Sequence, residues 1–167
     1  MARSDSFFIR ATVDTNGLNY AQTSIDLGSF VDALGKTVMR IHNISVQYGN
    51  PTTLPGGPAG GGNAMTAYQL TTQSQTDLVN ASNRSVISSG KLIGGVEAGT
   101  NAFTSLGDFA DLSPQVWNNG YLIAVESIFL ATDSVINSLV DNVTVVLECT
   151  VETMTAAASM ALALSQQ

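Results

Sequence analysis

Charge is what this sequence has least of. Only 11% of its 167 residues are Asp, Glu, Lys or Arg, against about a quarter in an ordinary globular domain. Six cations stand against 13 carboxylates, giving a formal net charge of −7 and a pI near 4.3. The cations never cluster. Nucleic-acid affinity comes mainly from Lys and Arg displacing counterions from phosphates, so no direct nucleic-acid binding is expected. Cysteine and histidine each occur once, as Cys149 and His42. One cysteine excludes an intrachain disulfide, and its place among apolar residues reads as a small buried hydrophobe. One histidine with no second His or Cys excludes the usual soft metal clusters.

Long hydrophobic runs are missing as well. The apolar stretch Ala156 to Leu164 is interrupted by Ser159 and falls far short of the ~20 residues that span a bilayer. No transmembrane segment is expected. The N-terminus, MARSDSFFIR, has no apolar h-region, so no signal peptide is expected either. A chain with so few charges keeps its surface wet with hydroxyls and amides, or has much of it covered by copies of itself.

Sites for chemistry are equally scarce. Gly35-Lys36-Thr37 has the ending of a phosphate-binding loop, but position 30 is Phe where the first glycine belongs. A strand also follows Lys36 where a helix is required. A catalytic triad would need His42, and no G-x-S-x-G elbow exists to pair with it. Glu148 and Glu152 share one face of the last strand, where they are expected near Glu126, and a solvated outer face accounts for all three. Asp108 and Asp111 lack the order of a calcium loop. Four N-x-[ST] sequons, at Asn43, Asn80, Asn83 and Asn142, are expected by chance in a chain this rich in Asn, Ser and Thr. The expectation is therefore a protein that is not an enzyme, with no catalytic residue, cofactor or metal site.

What the sequence does contain is strand signal. The clearest stretch is Asn142 to Met154, where Val143, Val145, Leu147, Cys149 and Val151 alternate with Thr144, Glu148, Thr150 and Glu152. Period-two alternation of β-branched residues marks a strand with one dry and one wet face, here long enough to be a central partner. Others are expected near 7–13, 21–27, 37–48, 65–72, 85–93 with a break at Ser89-Gly90, 98–104 and 121–132. Asn16-Gly17 is a turn signal between the first two. On 37–48 each face changes character halfway, as when a strand passes between environments. The strands 121–132 and 142–154 are expected to be antiparallel neighbours, joined by a short helix over Asp133 to Asp141.

Three other stretches stand out. The segment 49–63, GNPTTLPGGPAGGGN, carries three prolines and six glycines and reads as a long flexible loop. Leu27-Gly28-Ser29-Phe30-Val31-Asp32 and Leu106-Gly107-Asp108-Phe109-Ala110-Asp111 share L-G-x-F-x-D, with Leu and Phe suited to plugging one end of a sandwich. After Glu152 the apolar phase slips by one. Ala, Met and Leu there favour a helix capped by Thr153 or Thr155 over a bulged strand.

About eight antiparallel strands in two packed sheets make an all-β, eight-stranded jelly-roll β-sandwich with short helical insertions, in a single domain over 1–167. An immunoglobulin-like sandwich is the alternative. Strand count, the hydroxyl-rich acidic composition, loop 49–63 and the apolar segment 154–167 give the whole chain a loose similarity to the single jelly-roll coat proteins of small icosahedral viruses, including those of archaeal or bacterial hosts. It departs from many of them in lacking a basic N-terminal arm. The resemblance implies a self-assembling capsid subunit in a virion, with copies of itself and other capsid proteins as partners. Expected contact residues are Phe7, Phe8, Arg40, His42, Met154, Met160, Leu162 and Leu164. Two other readings remain: a carbohydrate-binding or adhesive sandwich using Trp117, Tyr121, Asn118 and Asn119, and a pilus or surface-layer subunit. Either would place the chain at a cell surface or outside the cell.

Overall fold

The computed structural model describes residues 4–32, 36–52, 61–98, 103–105, 115–134 and 140–166. Nine strands are found there: β1 (Phe7–Asp14), β2 (Tyr20–Asp26), β3 (Thr37–Tyr48), β4 (Gly62–Thr71), β5 (Val86–Val96), β6 (Phe103–Ser105), β7 (Gln115–Ile123), β8 (Ser127–Ser134) and β9 (Asn142–Thr153). One helix, α1 (Ala156–Ser165), follows. The strands form two antiparallel sheets, in the orders β1-β9-β3-β7 and β2-β8-β4-β5-β6.

That order is a jelly roll. The first strand pairs with the last, β1 with β9, and inside that pair β2 meets β8, β3 meets β7 and β4 meets β5. The chain is thus one long antiparallel ribbon of four nested pairs, wrapped so that successive pairs fall in opposite sheets. The short β6 is added on the free edge of β5.

β9 is the centre of its sheet, hydrogen-bonded to β1 along one side and β3 along the other. Its odd residues Val143, Val145, Leu147 and Cys149 are fully buried. They meet Ile128 and Leu130 of β8 and Tyr68 and Leu70 of β4 in one core cluster. Full burial of each large aliphatic side chain stabilises by roughly 1.5–3 kcal/mol, so this strand alone anchors much of the sandwich. The Asn16-Gly17 turn forms as its residues require, both at positive φ (50° and 80°).

Several expected boundaries shift, each for a physical reason. The run 121–132 is two strands in opposite sheets, separated at 124–126. The turn is hidden in the sequence because Ala124 and Val125 are themselves buried. β8 therefore lies across the core from β9 and is not its neighbour. On β3 the change of face is a β-bulge: the register with β9 slips between Ile41 and Asn43. Met39 and Ile41 point inward before it and Ile44 after it, all in the core. β5 runs unbroken through Ser89-Gly90 and on to Val96, because its ladder with β4 continues across the glycines.

The loop 49–63 is shorter than expected at its end, since Gly62 and Asn63 already pair with Val96 and Gly95; positions 53–60 lie outside the described residues. The expected strand 98–104 is represented by Phe103–Ser105. Of the helix expected over 133–141, Asp133 and Ser134 belong to β8, and 135–139 are outside the described residues. So is the second L-G-x-F-x-D segment, 106–111. The first is a plug: Leu27 is fully buried, Phe30 stacks on Phe7 with ring centroids 4.6 Å apart, and Asp26 Oδ1 accepts the Gly28 N–H at 2.8 Å.

Candidate assembly surface

The outward residues of the four-stranded sheet follow from its register. Along β1, Phe7, Ile9, Ala11 and Val13 face the core, which leaves Phe8, Arg10, Thr12 and Asp14 outward. Opposite them β9 presents Glu148, Val146, Thr144 and Asn142, and β3 presents Asn43, Ser45 and Gln47. This half of the face is hydroxyl- and amide-rich. Thr12 and Thr144 hydroxyls meet at 2.8 Å, and the Arg10 guanidinium lies 5.7 Å from the centre of the Phe8 ring.

At the end of the other half, α1 packs over Val38. Thr155 caps α1, its hydroxyl accepting the Ala158 N–H at 3.3 Å, as the helix reading of the phase slip anticipates. The helix lays Ala163 onto Val38 and Ala124, with Leu122, Met154 and Leu162 packed around them. Thr150 and Glu152, outward on β9, are nevertheless buried, Thr150 beside His42 and Glu152 beside Arg40 of β3.

Gln166 fastens the end of α1. Its Nε2–H donates to the Leu122 carbonyl at 2.6 Å, and its Oε1 accepts the Ala124 N–H at 3.0 Å. Its main-chain carbonyl accepts from the Thr72 hydroxyl at 2.7 Å. The side chain therefore satisfies backbone groups where β7 enters its turn to β8, and the main-chain carbonyl ties them to Thr72, just past β4. Burial pushes the Tyr121 hydroxyl up, partly offset by its hydrogen bond with Gln166. Nothing in the sequence points to Gln166 for this role, which depends entirely on tertiary placement.

Beside the helix lies a buried ion pair. Arg40 donates through Nε and one terminal nitrogen to the two oxygens of Glu152, at 2.7 and 2.8 Å, and through the other to the Asn119 carbonyl. The side chains are 14% and 4% exposed. Hydrogen bonding to Glu152 holds the Arg40 guanidinium above its already high range, against the opposing effect of burial. Glu152 thus belongs to a cross-strand pair, not to a wet acidic face with Glu126, which sits in the β7–β8 turn.

Next to this pair both β3 and β7 are irregular. Ile41 faces Tyr121 and Asn43 faces Val116, so the single residue His42 stands opposite four, Trp117 to Gly120. Gly120 has φ +70° and packs so closely that a Cβ there would lie 2.7 Å from Arg40 Cγ and Ile41 O. Only glycine fits both the conformation and the space. His42 Nε2 is 2.9 Å from the Thr150 hydroxyl. Trp117 and Tyr121, with centroids 5.6 Å apart, pack against the core, leaving Asn118 and Asn119 exposed.

The expected contact residues thus divide. Phe7 belongs to the core margin, and Met154 and Leu162 to the patch under α1. Arg40 and His42 lie at the bulge. Phe8, Met160 and Leu164 stand open at 54%, 48% and 64% exposure, as does Leu18 in the β1–β2 turn. Cys149 is buried; desolvation, then the nearby Glu148 charge, pushes its thiol up to about 12. Among the described residues no group of three or more His, Cys, Asp or Glu is placed to hold a metal ion, and no helix is long and apolar enough to cross a membrane.

No family model and no curated protein matches the chain. Among solved structures it is similar to VP1 of Trichodysplasia spinulosa-associated polyomavirus in complex with GM1 oligosaccharide, at 8% identity over 89% of this chain and 96% of that one, with a TM-score of 0.49. It is also similar to Merkel cell polyomavirus VP1 in complex with disialyllactose (7%, 89% and 95%, TM-score 0.47) and to an unassembled Washington University polyomavirus VP1 pentamer (7%, 87% and 93%, TM-score 0.42). Likeness at this level carries no argument; the jelly roll rests on the strand order itself.

Proposed function

We propose that this chain is a self-assembling structural subunit, the coat protein of a viral particle, whose partners are copies of itself and other capsid proteins. The observation that carries the reading is the outer face of the four-stranded sheet. It leaves Phe8 on β1 and Met160 and Leu164 on α1 open to water, on a chain of only 11% charged residues. The solvent side of α1, Ala157, Met160, Ala161 and Leu164, carries no charge at all. A helix with so apolar a solvent side belongs against another surface, and a neighbouring subunit supplies one. Burying Phe8, Met160 and Leu164 between copies stabilises by roughly 1.5–3 kcal/mol each. The acidic balance leaves genome packaging to another component of the virion.

The reading is tested by charging that surface. Met160→Lys and Leu164→Lys together leave the inward side of α1, Ser159 and Ala163, untouched, so the fold is retained. Assemblies visible by negative stain in the unaltered chain should give way to folded single subunits. Unchanged particles, or a chain that never assembles before substitution, would refute it.

A further inference from the structure

The bulge between β3 and β7 opens two recesses that share Arg40 and Asn119. One, about 350 Å³, is lined by Arg40, His42, Asn118 and Asn119, almost wholly with polar atoms. The other, about 460 Å³, adds Arg84 on one wall and Ser165 at the end of α1. Volumes of this order suit a small ligand, and bulges recur where a sheet re-aims side chains for function.

We propose that these recesses together form a binding site for a carboxylate flanked by hydroxyl groups, the chemistry of an acidic sugar or of a free hydroxy acid. Three facts converge on that class. Arg40 and Arg84 are two of only six cations in a chain of net charge −7, and they flank the same asparagine. Glu152 neutralises Arg40, but among the described residues Arg84 makes no ion pair, so the site keeps an uncompensated positive charge for an anion. A guanidinium has five N–H donors; three of Arg40 are committed to Glu152 and Asn119, which leaves two. The carboxamide side chains of Asn118 and Asn119 offer donors and acceptors together, which is what vicinal hydroxyls require; the Ser165 hydroxyl, which already donates to the Leu162 carbonyl, adds an acceptor. Tyr121, Leu122 and Leu162 line the larger recess beside these groups, so the ligand's hydrocarbon skeleton has an apolar wall to rest on. The site does not depend on the assembly reading.

The test is calorimetry on the full chain with glucuronate, lactate, acetate and glucose. Trp117, the only tryptophan and the neighbour of Asn118, serves as a fluorescence reporter in subunits and particles alike. Glucuronate or lactate should bind saturably and more tightly than acetate or glucose, and the stronger of the two identifies the source. Arg84→Gln, at an exposed position outside the sheets, should weaken binding at least about tenfold, and Asn118→Ala should weaken it further. No saturable binding, equal binding of acetate or glucose, or affinity unchanged in both variants would overturn the assignment.

Discussion

Glu152 shows what a single residue gains from its surroundings. In the sequence it occupies a wet position of an alternating strand, and its register on β9 agrees. Its side chain is buried, and its partner Arg40 comes from a strand more than a hundred positions earlier, neither of which alternation can reveal. Removing one member of a buried pair leaves the other charge uncompensated, which costs about 3–5 kcal/mol. Glu152→Gln should therefore lower the unfolding free energy measured in urea by that order, with Arg40→Met in the same chain recovering part of the loss. Cys149, by contrast, was legible, because the odd positions from Val143 to Cys149 are all dry. With its thiol raised to about 12 by burial and then Glu148, almost no thiolate exists at pH 8. A thiol reagent should leave the native protein unmodified and react only on denaturation; fast labelling of folded protein would contradict the core placement.

At the scale of elements, β1 and β9, whose dry and wet faces alternate over most of their length, were legible to within a residue or two, and so were the ends of β3. Errors fell where the pattern continues through a change of direction. Residues 121–132 read as one strand because the buried turn residues Ala124 and Val125 are as apolar as the strands they join. The change of face on β3 read as a change of environment because an inserted residue shifts a period of two by one. The C-terminal helix was legible from its composition and its Thr155 cap, but not its fastening. Gln166→Ala would strand the Ala124 N–H and the Leu122 carbonyl at a cost of about 1–3 kcal/mol. The loss should be local: hydrogen exchange should quicken in α1 and at residues 122–124 while β9 stays protected. Uniform quickening across both sheets would mean instead that the helix is integral to the core.

For the whole molecule, fold class was more legible than function. Eight strands with a dry face have few ways to close a sandwich, but which strands pair was not legible: 121–132 reads as a neighbour of 142–154, and its β8 half lies in the other sheet. The surface offers no comparable rule. The residues expected to meet other copies prove to be divided between the core margin, the patch under α1, the bulge and open water, since hydrophobicity in sequence does not say which cover is nearest. What remains open, Phe8, Met160 and Leu164, is the physical basis of the assembly claim. Sedimentation velocity of the purified full chain over a range of salt and concentration tests that claim most directly. The account predicts large, discrete species that persist in high salt, because apolar contacts are not screened; a compact monomer under every condition would contradict it.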